Sequence, residues 1–192
     1  MLRRLYDWTL AQAQSRHALW VLAFVAFIES SVFPIPPDVL IIPLVIAAPH
    51  RAWLIAGVAT VSSVLGGLFG YYIGWALYES VGLPVLEFYG KTDSFDEFSA
   101  RYNEWGAWAV LFGGITPLPY KLFTILSGST GLNIVVFTVA SIVARGLRFF
   151  IVAALLWKFG EPIRDFIERR LGLMFTLFLV CLLGGFLVLR YL

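Results

Sequence analysis

The chain has 192 residues, 60% hydrophobic and 14% charged, with a formal net charge of +2 and a single cysteine. Soluble domains run roughly 45–50% apolar and about 25% charged, so this composition excludes a disordered chain, a nucleic-acid-binding domain and an ordinary soluble enzyme. Cys181 alone excludes an internal disulfide framework and a multi-cysteine metal site. What remains is an integral membrane protein, read as a single membrane domain over residues 1–192.

Residues 2–16 place Leu2, Leu5, Tyr6, Trp8 and Thr9 on one rough face beside Arg3 and Arg4, the pattern of an amphipathic interfacial helix. The apolar run 18–48 follows, interrupted by Glu29, Pro34, Pro36, Pro37 and Asp38. Proline removes a backbone donor and blocks helix continuation. The run therefore reads as two half-length helices, a re-entrant hairpin whose broken backbone protein or water must satisfy. It carries no small-residue cleavage site, which argues against a signal peptide and for a retained N-terminus.

A spanning helix needs about 20 mostly apolar residues, and residues 52–78 meet this without a charge. Residues 79–104 read as an outer loop. Within it, Phe95, Phe98, Tyr102 and Trp105 recur at helical spacing over 94–105, and Ser94 with Glu97 predicts a capping box. Residues 105–128 run into Pro117, Pro119 and Lys121 and read as a second re-entrant hairpin. A spanning helix over 131–157, a basic loop over 158–170 and a last spanning helix over 171–189 complete the chain.

With both hairpins re-entrant, Arg3, Arg4, Arg16, Arg51, Lys158, Arg164, Arg169 and Arg170 share one side, against Lys91, Arg101 and Arg190. The positive-inside rule then puts the N-terminus in the cytoplasm. An internal repeat supports the scheme. Pro34-Ile35-Pro36-Pro37-Asp38 matches Pro117-Leu118-Pro119-Tyr120-Lys121, and Gly67-Leu68 matches Gly146-Leu147. The expected fold is all-α and polytopic. Its two halves have inverted topology, each a broken hairpin plus a spanning helix, with an extra C-terminal helix. Inverted repeats with broken helices are a transporter pattern with the site at the midplane.

Five ionisable residues fall at membrane depth: Glu29, Asp38, Lys121, Arg145 and Arg148. Each costs about 2.5–3.5 kcal/mol at a helix centre on insertion scales, so pairing or a hydrated cavity is required. Three bases against two acids leave an excess that suits a phosphate or another anion. Internal ion pairing alone is the plainer reading. Pro36 or Pro37, and Pro119, fit the first position of a half-helix, whose free N–H groups attract anions. Arg145 and Arg148, three apart, share a helix face. Gly66, Gly70 and Gly74 form a small-residue stripe suited to close packing within the chain or to a dimer face. Gly113, Gly114, Gly128 and Gly131 flank the second hairpin and give it room to turn. His17 and His50 lie at membrane edges, and no serine–histidine pair, His–Glu metal motif or Walker motif occurs. No catalytic role, metal or cofactor is therefore expected.

The order and spacing of Phe27-Ile28-Glu29, Phe33-Pro34-Ile35-Pro36-Pro37-Asp38, Gly106-Ala107-Trp108, Thr116-Pro117-Leu118-Pro119-Tyr120-Lys121, Ser127-Gly128 and Arg145-Gly146-Leu147-Arg148-Phe149 resemble the DedA family. This family is also called the SNARE-associated or VTT-domain family, and its YqaA-like branch is the most similar. The resemblance spans about residues 20–160. It implies two facing re-entrant hairpins, location in a bacterial inner membrane, and lipid translocation linked to recycling of a polyprenyl-phosphate carrier and to the proton-motive force. The family's functional acids map onto Glu29 and Asp38. Its arginines do not map directly: Gly114-Ile115 stands where many relatives have Arg-Phe, and Lys121 lies one place beyond the usual second arginine. Arg145 and Arg148 offer replacement cations.

The leading expectation is a transporter or scramblase for an anionic, phosphate-bearing lipid. Lys121, Arg145 and Arg148 would hold the head group, and Glu29 and Asp38 would orient them or carry a proton. A proton-coupled carrier or channel for a small soluble ion uses the same residues. A structural membrane protein, possibly a homo-oligomer, needs only the pairing.

Overall fold

The computed structural model describes residues 17–32, 36–116, 118–160 and 162. The expected elements at 2–16 and 171–189, most of the basic loop, and Pro34 and Pro117 lie outside the described residues. Everything regular among the described residues is helical: α1 (Ala18–Ser31), α2 (Asp38–Ala47), α3 (Ala52–Leu77), α4 (Leu83–Phe88), α5 (Thr92–Ile115), α6 (Tyr120–Ser129) and α7 (Ile134–Gly160).

Helix lengths sort these elements by what they can cross. The 26 residues of α3 rise about 39 Å, more than the ~30 Å of a bilayer core. α7, with 27 residues, is also long and apolar enough to cross. The 14 residues of α1 and the 10 of α2 reach roughly 21 and 15 Å, half depth each.

Both proline clusters stop a helix, and the next begins within a few residues. Pro37 and Pro119 each stand one place before the first helical residue rather than on it. Their carbonyls take the first helical bonds, from Ile41 and Leu122. At both breaks the chain turns back. Ala18 and Leu22 of α1 share a cluster with Ala52 and Ile55 at the start of α3, and so do Ile41, Leu44 and Val45 of α2. Further along, α1 reaches the middle of α3, where Ser30 meets Ser63. In the second half, Asn103 bonds Thr130 and Tyr102 bonds Ser127, so α5 and α6 run antiparallel. The turn end of this hairpin, at Tyr120, lies against Gly67 of α3. The two hairpins thus approach from opposite ends of α3 and end beside its middle. α7 runs antiparallel to α3, with Trp53 close to Trp157 and Ser63 close to Arg145.

The glycine stripe makes this approach possible. A Cβ at Gly66 would strike the backbone carbonyl of Phe27, one at Gly74 that of Ile125, and one at Gly128 that of Tyr71. The stripe is therefore used to pack α3 against both hairpins. Of the glycines expected to give the second hairpin room, Gly131 sits at φ 65° in the turn that closes α6. Gly113 instead makes space for the Phe123 ring.

Three expectations are corrected. Residues 94–105 are not a separate interfacial helix: α5 runs unbroken from Thr92 to Ile115. Ser94 also does not cap it. Gly90, at φ 60°, ends the preceding helix, the Lys91 amide bonds back to Leu86, and Lys91 becomes the N-cap. That tight turn starts the helix before Ser94, which falls inside it. Upstream, α3 does not end in a loop but continues through a π-helical turn, Tyr78–Gly82, into α4. The helix that follows the second hairpin is capped by a residue not singled out from the sequence: Asn133 accepts the Val135 amide at 2.9 Å.

Gly74→Ala is expected to destabilise the protein by about 1–3 kcal/mol, because the added methyl meets backbone that cannot move aside. Gly57→Ala, whose added methyl meets nothing within 4 Å among the described residues, should cost nothing. Unfolding of both variants in mixed micelles tests the contrast.

Candidate functional site

Two apolar clusters pack along α3 and α7. One joins α1, α2, the start of α3 and the end of α7. The other joins α5, α6 and the start of α7 through Val110, Tyr120, Phe137 and Ala140. The charged residues lie where these clusters meet and where the hairpins end.

Arg145 is the centre of this layer. Its side chain is 0% exposed and its Nη2 donates to Glu29 Oε2 at 2.6 Å. Its Nε donates to Ser63 Oγ at 2.6 Å. Ser63 Oγ lies 2.7 Å from Ser30 Oγ, and Ser30 Oγ lies 3.1 Å from Glu29 Oε2. The four side chains close a ring. Ser63 accepts from the arginine, either serine can donate in the bond between them, and Ser30 Oγ also lies 3.0 Å from the Ala26 carbonyl. The guanidinium also lies over the rings of Tyr120 and Phe149, 4.9 and 4.6 Å from their centroids. Nη1 has no hydrogen-bond partner among the described residues, and these two ring faces are the favourable contacts that surround the cation. Tyr120 is itself fixed by a hydrogen bond to Ser141.

Arg148 makes the second ion pair. Its Nη2 reaches Asp38 Oδ2 at 2.6 Å, with the two side chains 19% and 23% exposed. Its Nη1 donates to the Thr116 carbonyl at 2.9 Å. This one side chain therefore ties the first residue of α2 to the C-cap residue of α5, one hairpin to the other. Lys121 ties them a second time, its Nζ donating to the Val32 carbonyl at the end of α1, 3.0 Å away. Thr124 adds a third link, its hydroxyl proton shared between the Ser30 carbonyl at 3.1 Å and the Lys121 carbonyl at 2.9 Å.

The helix ends favour one of these placements and oppose the other. Asp38 sits in the first turn of α2, where the helix dipole welcomes a carboxylate. The anion expected at that half-helix N-terminus is thus the chain's own. Lys121 sits in the first turn of α6, where a cation is disfavoured by about 0.3–1 kcal/mol. Its reach to the carbonyl end of α1 offsets this.

All five ionisable residues read from the sequence come together here. Pro36, Pro37 and Pro119 stand at the two turns. Ser30, Ser63, Thr116 and Thr124 were not singled out. Ser63 was legible in principle, lying at helical spacing from the glycine stripe on α3. Among the described residues no cluster of His, Cys, Asp and Glu able to hold a metal occurs.

A Haemophilus influenzae protein is 34% identical over 168 residues, 85% of this chain and 87% of its own. A Histophilus somni homologue is 36% identical over the same shares. The chain belongs to the family of these two proteins. Both carry names that state no function. Undecaprenyl phosphate transporter A of Staphylococcus aureus is 28% identical over 146 residues, 71% of this chain and 68% of that protein. No family model and no solved structure matches.

Ser63→Ala leaves the buried Arg145 Nε without its acceptor and should cost about 1–3 kcal/mol. Ser80→Ala removes only an exposed bond to the Ala76 carbonyl and should stay within about 0.5 kcal/mol. Paired unfolding measurements check this.

Proposed function

We propose that the protein moves a phosphate-bearing lipid, either a polyprenyl phosphate or a phospholipid, across a bacterial inner membrane. The observation that carries this reading is the junction itself. Two helical hairpins end beside the middle of one long apolar helix, and their ends are joined by ionised side chains instead of apolar packing. Charge at membrane depth is costly and marks pathways for polar cargo. Three cations against two acids favour an anionic head group.

The distant likeness to a transporter named for undecaprenyl phosphate supports the same cargo class and the DedA resemblance. In this reading the halves are inverted repeats that rock about α3, and the N-terminus is cytoplasmic. Glu29 and Asp38 hold the cations in place and are the candidates for a coupling proton.

The test is reconstitution in liposomes with polyprenyl phosphate and fluorescent phospholipids, with and without a pH gradient. The wild type should flip at least one of them. Glu29→Gln and Arg148→Ala, both eluting as folded protein, should flip at least about tenfold more slowly, since each loses a charge-assisted bond. Absence of flipping of every lipid by the wild type would overturn lipid transport and favour a soluble anion as cargo.

A further inference from the structure

The three cations of the junction are not equivalent. We infer that a phosphate-like anion is met by Arg148 and Lys121, and that Arg145 is a positioning residue that stays on Glu29. The inference rests on the transport reading and assigns roles within it.

Access separates them first. Arg145 has no exposed surface, is covered by Tyr120 and Phe149, and has Nε and Nη2 committed inside the closed ring with Ser63, Ser30 and Glu29. An anion would reach it only through the core. Arg148 and Asp38 retain exposed surface, and Lys121 is half-buried.

The existing partners separate them next. Lys121 Nζ carries three donors and spends one on the neutral Val32 carbonyl. Arg148 carries five and spends Nη1 on the neutral Thr116 carbonyl. A phosphate oxygen makes a charge-assisted bond stronger than either carbonyl does, so it displaces them. Its charge also repels Asp38 and weakens that carboxylate's hold on Arg148. The carbonyls that would be released close α1 and α5, one in each hairpin. Binding at this pair therefore loosens two of the three ties between the hairpins together, while the Thr124 bond to the Ser30 carbonyl and the Arg145 ring keep α1, α3 and α7 in register.

The test uses the full chain in phosphatidylcholine vesicles containing polyprenyl phosphate, with inorganic phosphate as soluble competitor. Lys121→Gln and Arg148→Gln should each raise the half-saturating polyprenyl phosphate at least about tenfold, the loss of one charge-assisted bond. Lys121→Arg should restore the wild-type value. Ser63→Ala and Arg145→Lys should leave half-saturation within about twofold and lower the maximal rate instead. Half-saturation that moves as far in Ser63→Ala as in Lys121→Gln, or that does not move in Lys121→Gln and Arg148→Gln, overturns the assignment. A wild type that moves no lipid but binds inorganic phosphate, with binding lost in Lys121→Gln, refutes the transport reading and keeps the pair. A wild type that neither moves lipid nor binds phosphate overturns both.

Discussion

A charged side chain inside a membrane must find its opposite, and here that opposite lies across the molecule. Glu29 and Arg145 stand 116 positions apart in the chain, in the first hairpin and the last described helix, yet share one 2.6 Å contact with no water-exposed route around the arginine. Two charges left apart at this depth would each bear a large desolvation cost. Packed together, with Ser63 accepting from the arginine Nε and Ser30 bridging Ser63 and Glu29, they fix where α1 ends relative to α3 and α7.

Apolar packing alone would not impose this arrangement, because lipid tails are as apolar as leucine. Close approach has to come from small residues and polar links. The glycine stripe on α3 lets the backbones of Phe27 and Ile125 come near, and that proximity brings Ser30 to Ser63 and Thr124 to the Ser30 carbonyl. Steric fit and hydrogen bonding thus act on the same face of the same helix. The outer pair, Arg148 with Asp38, and the single tie of Lys121 are built from longer, partly exposed side chains. Their geometry holds the hairpins together without sealing the junction.

Much of this was legible in the chain. Proline clusters marked both turns, although a single proline does not suffice, since Pro43 lies inside α2. Five ionisable residues in otherwise apolar runs marked the junction, since their cost demands a partner. Which acid meets which cation was not legible. Glu29 and Asp38 are both acidic residues of the first hairpin, and only the tertiary arrangement sends one to Arg145 and the other to Arg148. The serines were hidden for a related reason: Ser63 looks like another small residue of the packing stripe until the arginine arrives beside it. The continuous helix α5 was missed because its polar first half and apolar second half suggested two elements, whereas helix continuity depends on backbone geometry set at Gly90 and Lys91.

The most direct measurement is a double-mutant cycle on Glu29 and Arg145, read by reversible unfolding in mixed micelles with Glu29→Gln, Arg145→Met and the double variant. If this pair joins the halves, each single change is severe, the double variant recovers part of the loss, and the coupling exceeds about 1 kcal/mol. Additive losses, with coupling near zero, would mean that the two residues do not hold each other and that the junction is assembled in some other way.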